Sequence, residues 1–468
     1  MERKWWTLVA VVVGVFILVL DILIVNIALP DIGKDFDSSL SDLQWVVDAY
    51  ALALAAGLLM GGSIADLWGR RRVYAAGLAI FTLGSLLCGL ATGPLFLAIA
   101  RAGQGVGGAV VWATSLALLS NAFRGKDRGV AFGIYGAVLG VGAAAGPLLG
   151  GLITSGLSWR WIFFVNIPIG IATIAVTLLK VSESRSTSAG RPDLAGFGTF
   201  AVFLTLLIYG LIESGRGWGR ESVYLTLIGA AIALALFVVV EWKARSPMLD
   251  LALFRNSTFD GGLLAAFGLN ASLYALITYL IIYLQQQLGY SAFDAGLRSL
   301  PLTASMAAAS TVAGRLTNVI SPRAMIGGGF LAVGTGVLLM TGLYAGTEWT
   351  HLLPGMIVAG IGGGFVTVPL ASTAVGVVEA SKAGMASGAN ATARQIGLAT
   401  GIAVLGSIFA ATSHTEFTDG LNVILIVGSV LAYVSAVLAF SLIRGQDFVQ
   451  RDASELAVDQ TPVPSAST

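Results

Sequence analysis

Asp21 and Arg101 lie deep inside two apolar runs, 6–29 and 95–120, that carry almost no other charge. An ionised side chain at bilayer depth costs roughly 2.5–3.5 kcal/mol on insertion scales, so such a residue faces a partner or a watery cavity. Asp21 is the only acid deep inside the first run, which makes it the partner candidate for Arg101. A carboxyl holds its proton more tightly when buried and less tightly beside a cation. One that alternates between those surroundings can load and release a proton. The plainer alternative is a static pair that only fixes packing. Gln104 lies three residues after Arg101, shares its helix face and extends the polar network. Asp48 sits about one turn inside the second run, beside Trp45 and Tyr50. It suits a cation-attracting group, an outer step on a proton path, or a solvated acid. Asn26, Gln104, Tyr279 and Tyr283 are the candidate substrate-pathway residues, with lipid contact an equal reading of the two tyrosines. Asn390 and Arg394 form a lesser polar cluster on one helix face, and Arg394 is placed to snorkel toward the inner surface.

The elements that position these groups follow from composition. The 468 residues are 56% hydrophobic and 11% charged, with mean hydropathy +0.86. Soluble domains carry about 25% charged residues, so this is an integral membrane protein. A net charge of +1 gives no bulk electrostatic case for nucleic acid. One cysteine, Cys88, and two loop histidines, His351 and His414, argue against a disulfide or a metal centre. No Walker A loop and no Ser-His-Asp constellation is visible, so neither ATP drive nor enzymatic activity is expected. No cofactor is expected either. The proton gradient is the natural energy source, its electrical part being roughly 2.3 kcal/mol per charge per 100 mV.

Apolar stretches of span length recur fourteen times, from 6–29 to 421–443. They do not alternate as barrel strands do, so they are helices. Fourteen spans place both termini on one side. With that side inside, inner loops hold nineteen Lys and Arg, whereas the outer loops hold four: Lys34, Arg160, Arg216 and Arg220. The bias puts both termini in the cytoplasm of a cell-membrane protein. The first run is too long for a signal h-region and contains Asp21, Asn26 and Pro30, so it reads as a retained span. The layout is a six-helix bundle over 1–180, a linker with two additional helices over 181–257, a second six-helix bundle over 258–444, and a disordered tail over 445–468. Repeats of this kind place a site near the midplane between halves.

Three further patterns are local. Between the second and third spans stands Gly62-Ser-Ile-Ala-Asp66-Leu-Trp-Gly69-Arg70-Arg71-Arg72. Gly62 and Gly69 allow close approach and a tight turn, and Asp66 is placed to cap a helix or pair with an arginine. Gly142, Gly146 and Gly150 recur every four residues around Pro147, which smooths one helix face and permits a bend.

Gly62 to Arg72 resembles motif A of the major facilitator superfamily. Leu97 to Ala109 resembles its motif B, and Gly142 to Gly151 the motif C of its antiporters. Leu20 to Pro30 and Trp159 to Pro168 are similar to the signatures of its fourteen-span drug:proton antiporters. Two departures stand out: Leu67 replaces the basic residue that often follows the motif A aspartate, and the related loop Gly314 to Asn318 has no aspartate.

The resemblance implies an all-α major facilitator fold of two six-helix bundles plus two linker helices. It implies proton-coupling roles for Asp21, Arg101 and Asp48. It further implies gating roles for Gly62, Asp66, Gly69, Arg70, Arg71, Gly142, Gly146, Pro147 and Gly150, with motif C as a hinge-like interface between the halves. The expected activity is proton-coupled efflux of hydrophobic or cationic drugs by a monomer, with protons, a small-molecule substrate and the bilayer as partners. A dedicated exporter of one endogenous metabolite, antibiotic or lipid keeps the same architecture. A non-transporting receptor or scaffold is the remaining alternative.

Overall fold

Long apolar stretches leave the backbone no polar partner but itself, and here they close into helices. The structure is a computed structural model and describes residues 2–123, 125–185, 193–215, 217–317, 319–378, 382–413 and 416–448. In the first half the helices are α1 (Arg3–Phe36), α2 (Leu40–Trp68), α3 (Arg70–Gly89), α4 (Pro94–Ala122), α5 (Gly125–Gly156) and α6 (Trp161–Lys180). Two more follow, α7 (Leu194–Ser214) and α8 (Glu221–Lys243). The second half holds α9 (Ser257–Gln287), α10 (Ala292–Leu316), α11 (Pro322–Leu339), α12 (Leu353–Gly376), α13 (Ala383–Thr412) and α14 (Phe417–Leu442). Eleven helical segments among the described residues are long and apolar enough to cross a membrane. The helices α2, α5 and α10, with 29, 32 and 25 residues, lie outside that set.

Local chemistry sets the ends. A capping box opens α2: the Asp42 amide donates to Ser39 Oγ, and the Ser39 amide donates to Asp42 Oδ2. Asn256 caps α9 and Ser291 caps α10. The first span is longer than its sequence pattern predicts. Pro30 reads as a stop, yet α1 continues to Phe36 and ends on Asp37 in the left-handed region. Proline removes only one backbone donor, and the burial of Leu29 and Ile32 on either side holds the helix together. Two π-helical turns, Asn270–Tyr274 and Tyr283–Gln287, interrupt α9. The tail expected to be disordered, 445–468, lies outside the described residues from 449 onward.

Packing groups α1 to α6 with one another and α9 to α14 with one another. The α7–α8 hairpin leans on α2 and α13, where Phe200, Leu204 and Ile208 share a core with Ala51, Ala55, Ala399 and Ala403. Its other face presents Leu225, Ile228, Ile232 and Leu236 outward, as a lipid-facing surface requires.

The halves meet where α2 packs on α13 and α5 on α10, with a polar seam at the face opposite the termini. There Thr278 Oγ1 donates to Asn26 Oδ1 at 2.9 Å, and Gln285 Nε2 donates to the Ile27 carbonyl at 2.7 Å. Gln44 Nε2 reaches both Tyr279 Oη at 3.2 Å and the Ile402 carbonyl at 3.1 Å. The Phe293 amide donates to Ser155 Oγ at 3.0 Å. The α5–α10 crossing is tight: a Cβ on Gly296 would come within 2.2 Å of the Pro147 carbonyl oxygen.

That clash gives a test. Cys88 is the only cysteine, so Cys88→Ser frees the chain for single-thiol labelling. With Ala292→Cys as reporter, Gly296→Val should raise labelling by a membrane-impermeant maleimide several-fold, because the crossing can no longer close. An unchanged rate would show that this crossing does not seal the face.

Candidate functional site

The first half closes around one buried knot. Asp21 of α1 and Arg101 of α4 are each 1% exposed. Arg101 Nη1 donates to Asp21 Oδ2 at 2.5 Å and to Gln104 Oε1 at 2.7 Å, and Arg101 Nε donates to the Val46 carbonyl of α2 at 3.2 Å. The other carboxylate oxygen, Asp21 Oδ1, accepts from Gln104 Nε2 at 2.9 Å and from Asn166 Nδ2 of α6 at 3.2 Å. Ser85 Oγ of α3 accepts from the same two amides, each at 2.9 Å. The Arg101 guanidinium lies 4.1 Å from the centre of the Tyr50 ring, a cation–π contact that is strongest when desolvated. Five helices therefore contribute to one charge-neutral cluster, and each removed donor would leave a buried charge short of a partner.

Close backbone approach makes the cluster possible. A Cβ on Gly105 would lie 2.5 Å from the Tyr50 carbonyl oxygen, and one on Gly84 would lie 2.7 Å from the backbone of Gln104. Only glycine lets α2 and α3 approach α4 that closely. Asn166 and Ser85 complete the knot, and neither stands out by residue type alone. Their signal was a polar residue inside an apolar run, which is ambiguous until helix rotation is known.

Asp48 is fully buried, and both of its carboxyl oxygens lack a hydrogen-bond partner. It lies one turn along α2 from Gln44, on the same face, and within electrostatic reach of Tyr279. This is not the solvated vestibule acid that one sequence reading allowed. The candidate pathway residues divide. Gln104 belongs to the Asp21 knot. Asn26 and Tyr279 belong to the seal between halves, where Tyr279 Oη also donates to the Ile402 carbonyl at 2.6 Å. Tyr283 is a correction. It is 1% exposed, stacks on Phe417 and donates to the Thr347 carbonyl, so in this state it packs inside the second half, neither on a pathway nor against lipid.

The loop between α2 and α3 also differs from expectation. Gly69 turns there with φ +102°, and the space beside it is filled by the Glu183 carboxylate. Glu183 Oε1 accepts from the Arg71 amide at 3.0 Å, and the Ser184 carbonyl accepts from the Arg70 amide at 2.9 Å. An acid thus caps the N-terminus of α3, where the helix dipole favours it. Glu183, from the loop after α6, was missed because nothing local marks its destination. Gly62 has open space beside it, so it permits no close approach in this state. The side chain of Asp66 lies outside the described residues.

The glycine stripe of α5 faces its own half. Gly142, Gly146 and Gly150 pack on Val19, Leu23 and Ile24 of α1. The expected interface between halves runs instead along the adjacent edge, where Pro147 meets Gly296 and Gly151 meets Phe293. The four-residue spacing is real, but rotation of the helix decides which neighbour it meets.

The profile of the Major Facilitator Superfamily matches residues 11–402. The chain is 39% identical over 408 residues to the multidrug resistance protein Stp of Mycobacterium tuberculosis (strain CDC 1551 / Oshkosh), covering 86% of this chain and 76% of that protein. It is 37% identical over 422 residues to the puromycin resistance protein pur8 of Streptomyces alboniger, covering 89% and 84%. Among solved structures, a bacterial homologue of the human lysosomal transporter Spinster, crystallised inward-facing and unoccupied, aligns with a TM-score of 0.66 and 18% identity over 96% of this chain and 99% of that one. At that identity the likeness concerns the fold alone.

If the knot holds the first half together, Arg101→Gln should cost about 3–5 kcal/mol by stranding Asp21. The loss is read as a lowered melting temperature in detergent, and the double variant with Asp21→Asn should recover part of it. A single variant that melts like the wild type would show that the pair is not structural.

Proposed function

The chain belongs to the major facilitator superfamily, and on that premise we propose that it exports hydrophobic or cationic drugs in exchange for protons. It is a multi-pass membrane protein, and the two halves alternate in exposing a central site. The Lys and Arg bias supports cytoplasmic termini, which makes the sealed face the outer one and the state described here inward-facing. The relatives named for multidrug and puromycin resistance support drug efflux as the activity.

The unpartnered carboxyl of Asp48 carries the coupling scheme. A charge buried there without a hydrogen bond is expensive, so stripping its proton requires water to reach it. Opening the outer seal, one helical turn away at Gln44, would bring that water. Asp21 presents the opposite case, fully bonded to Arg101, Gln104 and Asn166. In this scheme protonation of Asp21 would compete with its partners and loosen the knot. The proton path therefore runs between an acid that is satisfied in this state and one that is not. No group that would need a cofactor takes part, and the energy comes from the gradient. The protein acts as a monomer in this scheme, since each half contributes its own face of the cavity.

A second reading has its own support, because pur8 is named for a single antibiotic. A dedicated exporter would protect a drug-hypersensitive host against one compound, whereas a multidrug exporter would protect against many unrelated ones.

In proteoliposomes with an imposed pH gradient, the wild type should move ethidium against its concentration gradient. Asp21→Asn should reduce that to background while still reaching the membrane. Asp48→Asn should bind ethidium yet lose most of its acceleration by the gradient. Full gradient-driven transport by Asp21→Asn would remove that residue from the mechanism.

A further inference from the structure

Arg394 is the charge that this scheme does not use. It lies eleven residues into α13, about 17 Å along the helix at 1.5 Å per residue. Its Nε donates to Asn390 Oδ1 at 3.2 Å, and Asn390 Nδ2 in turn reaches the Gly262 carbonyl of α9 at 3.4 Å. The guanidinium is thus aimed by the second half's own framework. Among the described residues its two terminal nitrogens have no hydrogen-bond or ion-pair partner, and they are not among the buried unpartnered atoms. They therefore keep some accessible surface in a half-buried residue.

The surroundings place that surface between the halves. Ala391, one turn nearer the termini, packs against the core of the first half. Ile402, about two turns the other way, belongs to the outer seal. Among the described residues, the titratable groups close enough to act on the guanidinium are the phenols of Tyr274 on α9 and Tyr135 on α5, one from each half, with no carboxyl beside them. Tyr274 sits at the end of the π-helical turn Asn270–Tyr274, a local widening that re-aims side chains and is frequent at functional sites. Arg394 lies between the halves beneath the seal, its head turned back one helical turn toward Asn390.

The contrast with Arg101 is physical. Arg101 meets a carboxylate, a side-chain amide, a carbonyl and a ring. Arg394 keeps most of its donor fork empty at a depth where an unpaired cation is costly. A planar fork of this kind is matched to oxyanions, and two phenols beside it supply further donors and apolar faces.

We propose that Arg394, aimed by Asn390 and within electrostatic reach of Tyr135 and Tyr274, is a recognition subsite for an anionic oxygen carried on an otherwise apolar substrate. The ligand class is a hydrophobic carboxylate or acidic phenol, which extends the substrate range beyond cations. The inference rests on the efflux reading. Binding of the anion would neutralise the Arg394 guanidinium and draw α5 toward α9 and α13, since the ligand bridges a phenol from each half.

The test compares two dyes in proteoliposomes: fluorescein, which carries a carboxylate and an acidic phenol, and ethidium, a cation. Arg394→Gln should lower fluorescein transport at least tenfold and change ethidium transport less than twofold. Arg394→Lys should retain part of the fluorescein transport. Ethidium transport by each variant reports that it is folded and cycling. Equal loss of both dyes would assign Arg394 to folding or gating and overturn the subsite. No loss of either would overturn it while leaving drug efflux intact, as would a wild type that moves ethidium but never fluorescein. A wild type that moves neither dye would overturn the efflux reading itself.

Discussion

The buried pair between Asp21 and Arg101 is the interaction on which the first half depends. Neither charge can be left alone in the low dielectric between helices, so everything around them is arranged to supply partners. Asp21 takes three donors from two helices, Arg101 takes acceptors from three, and Ser85 ties the amides of Gln104 and Asn166 together. The arrangement is over-determined. Loss of one contact leaves the rest holding the same rotamers, and loss of either charge leaves the other stranded. A bundle organised in this way moves as a unit.

The seam between the halves is built on different terms. Its bonds are neutral: an amide to a phenol, hydroxyl to amide, amide to carbonyl. A neutral hydrogen bond contributes about 0.5–1.5 kcal/mol net, and water can replace each one when the face opens. Glycines at the α5–α10 crossing add close contact without interlocking side chains. Charge pairs the helices inside the first half, and neutral bonds join it to the second. Asp48 and Arg394 stand at the boundary between these regimes. One is an acid with both oxygens unbonded beside the seal, the other a half-buried cation below it.

The turn after α2 shows the same logic at the membrane surface. Gly69 adopts a backbone conformation open to few other residues, and the vacant Cβ position admits the Glu183 carboxylate. That carboxylate also lies 3.8 Å from the side chains of both Arg71 and Arg72. The loop after α6 is thereby tied to the start of α3, more than a hundred residues earlier in the chain.

Membrane residence, helical architecture and the pairing of Asp21 with Arg101 could be read from residue order alone. Hydrophobicity over some twenty residues is a local property, and a buried charge demands an opposite one wherever it lies. Which polar residues complete the network was not legible that way. Asn166, Ser85, Gln44 and Glu183 acquire their roles from helix rotation and from chain segments distant in sequence. Tyr283 turned inward, and the α5 glycines met α1, for the same reason: a period of 3.6 residues defines a face but not the neighbour it meets. Tertiary packing alone decided that Asp48 would be buried without a partner and that Arg394 would lie between the halves. Burial depends on the sum of contacts from other helices, and no local pattern encodes that sum.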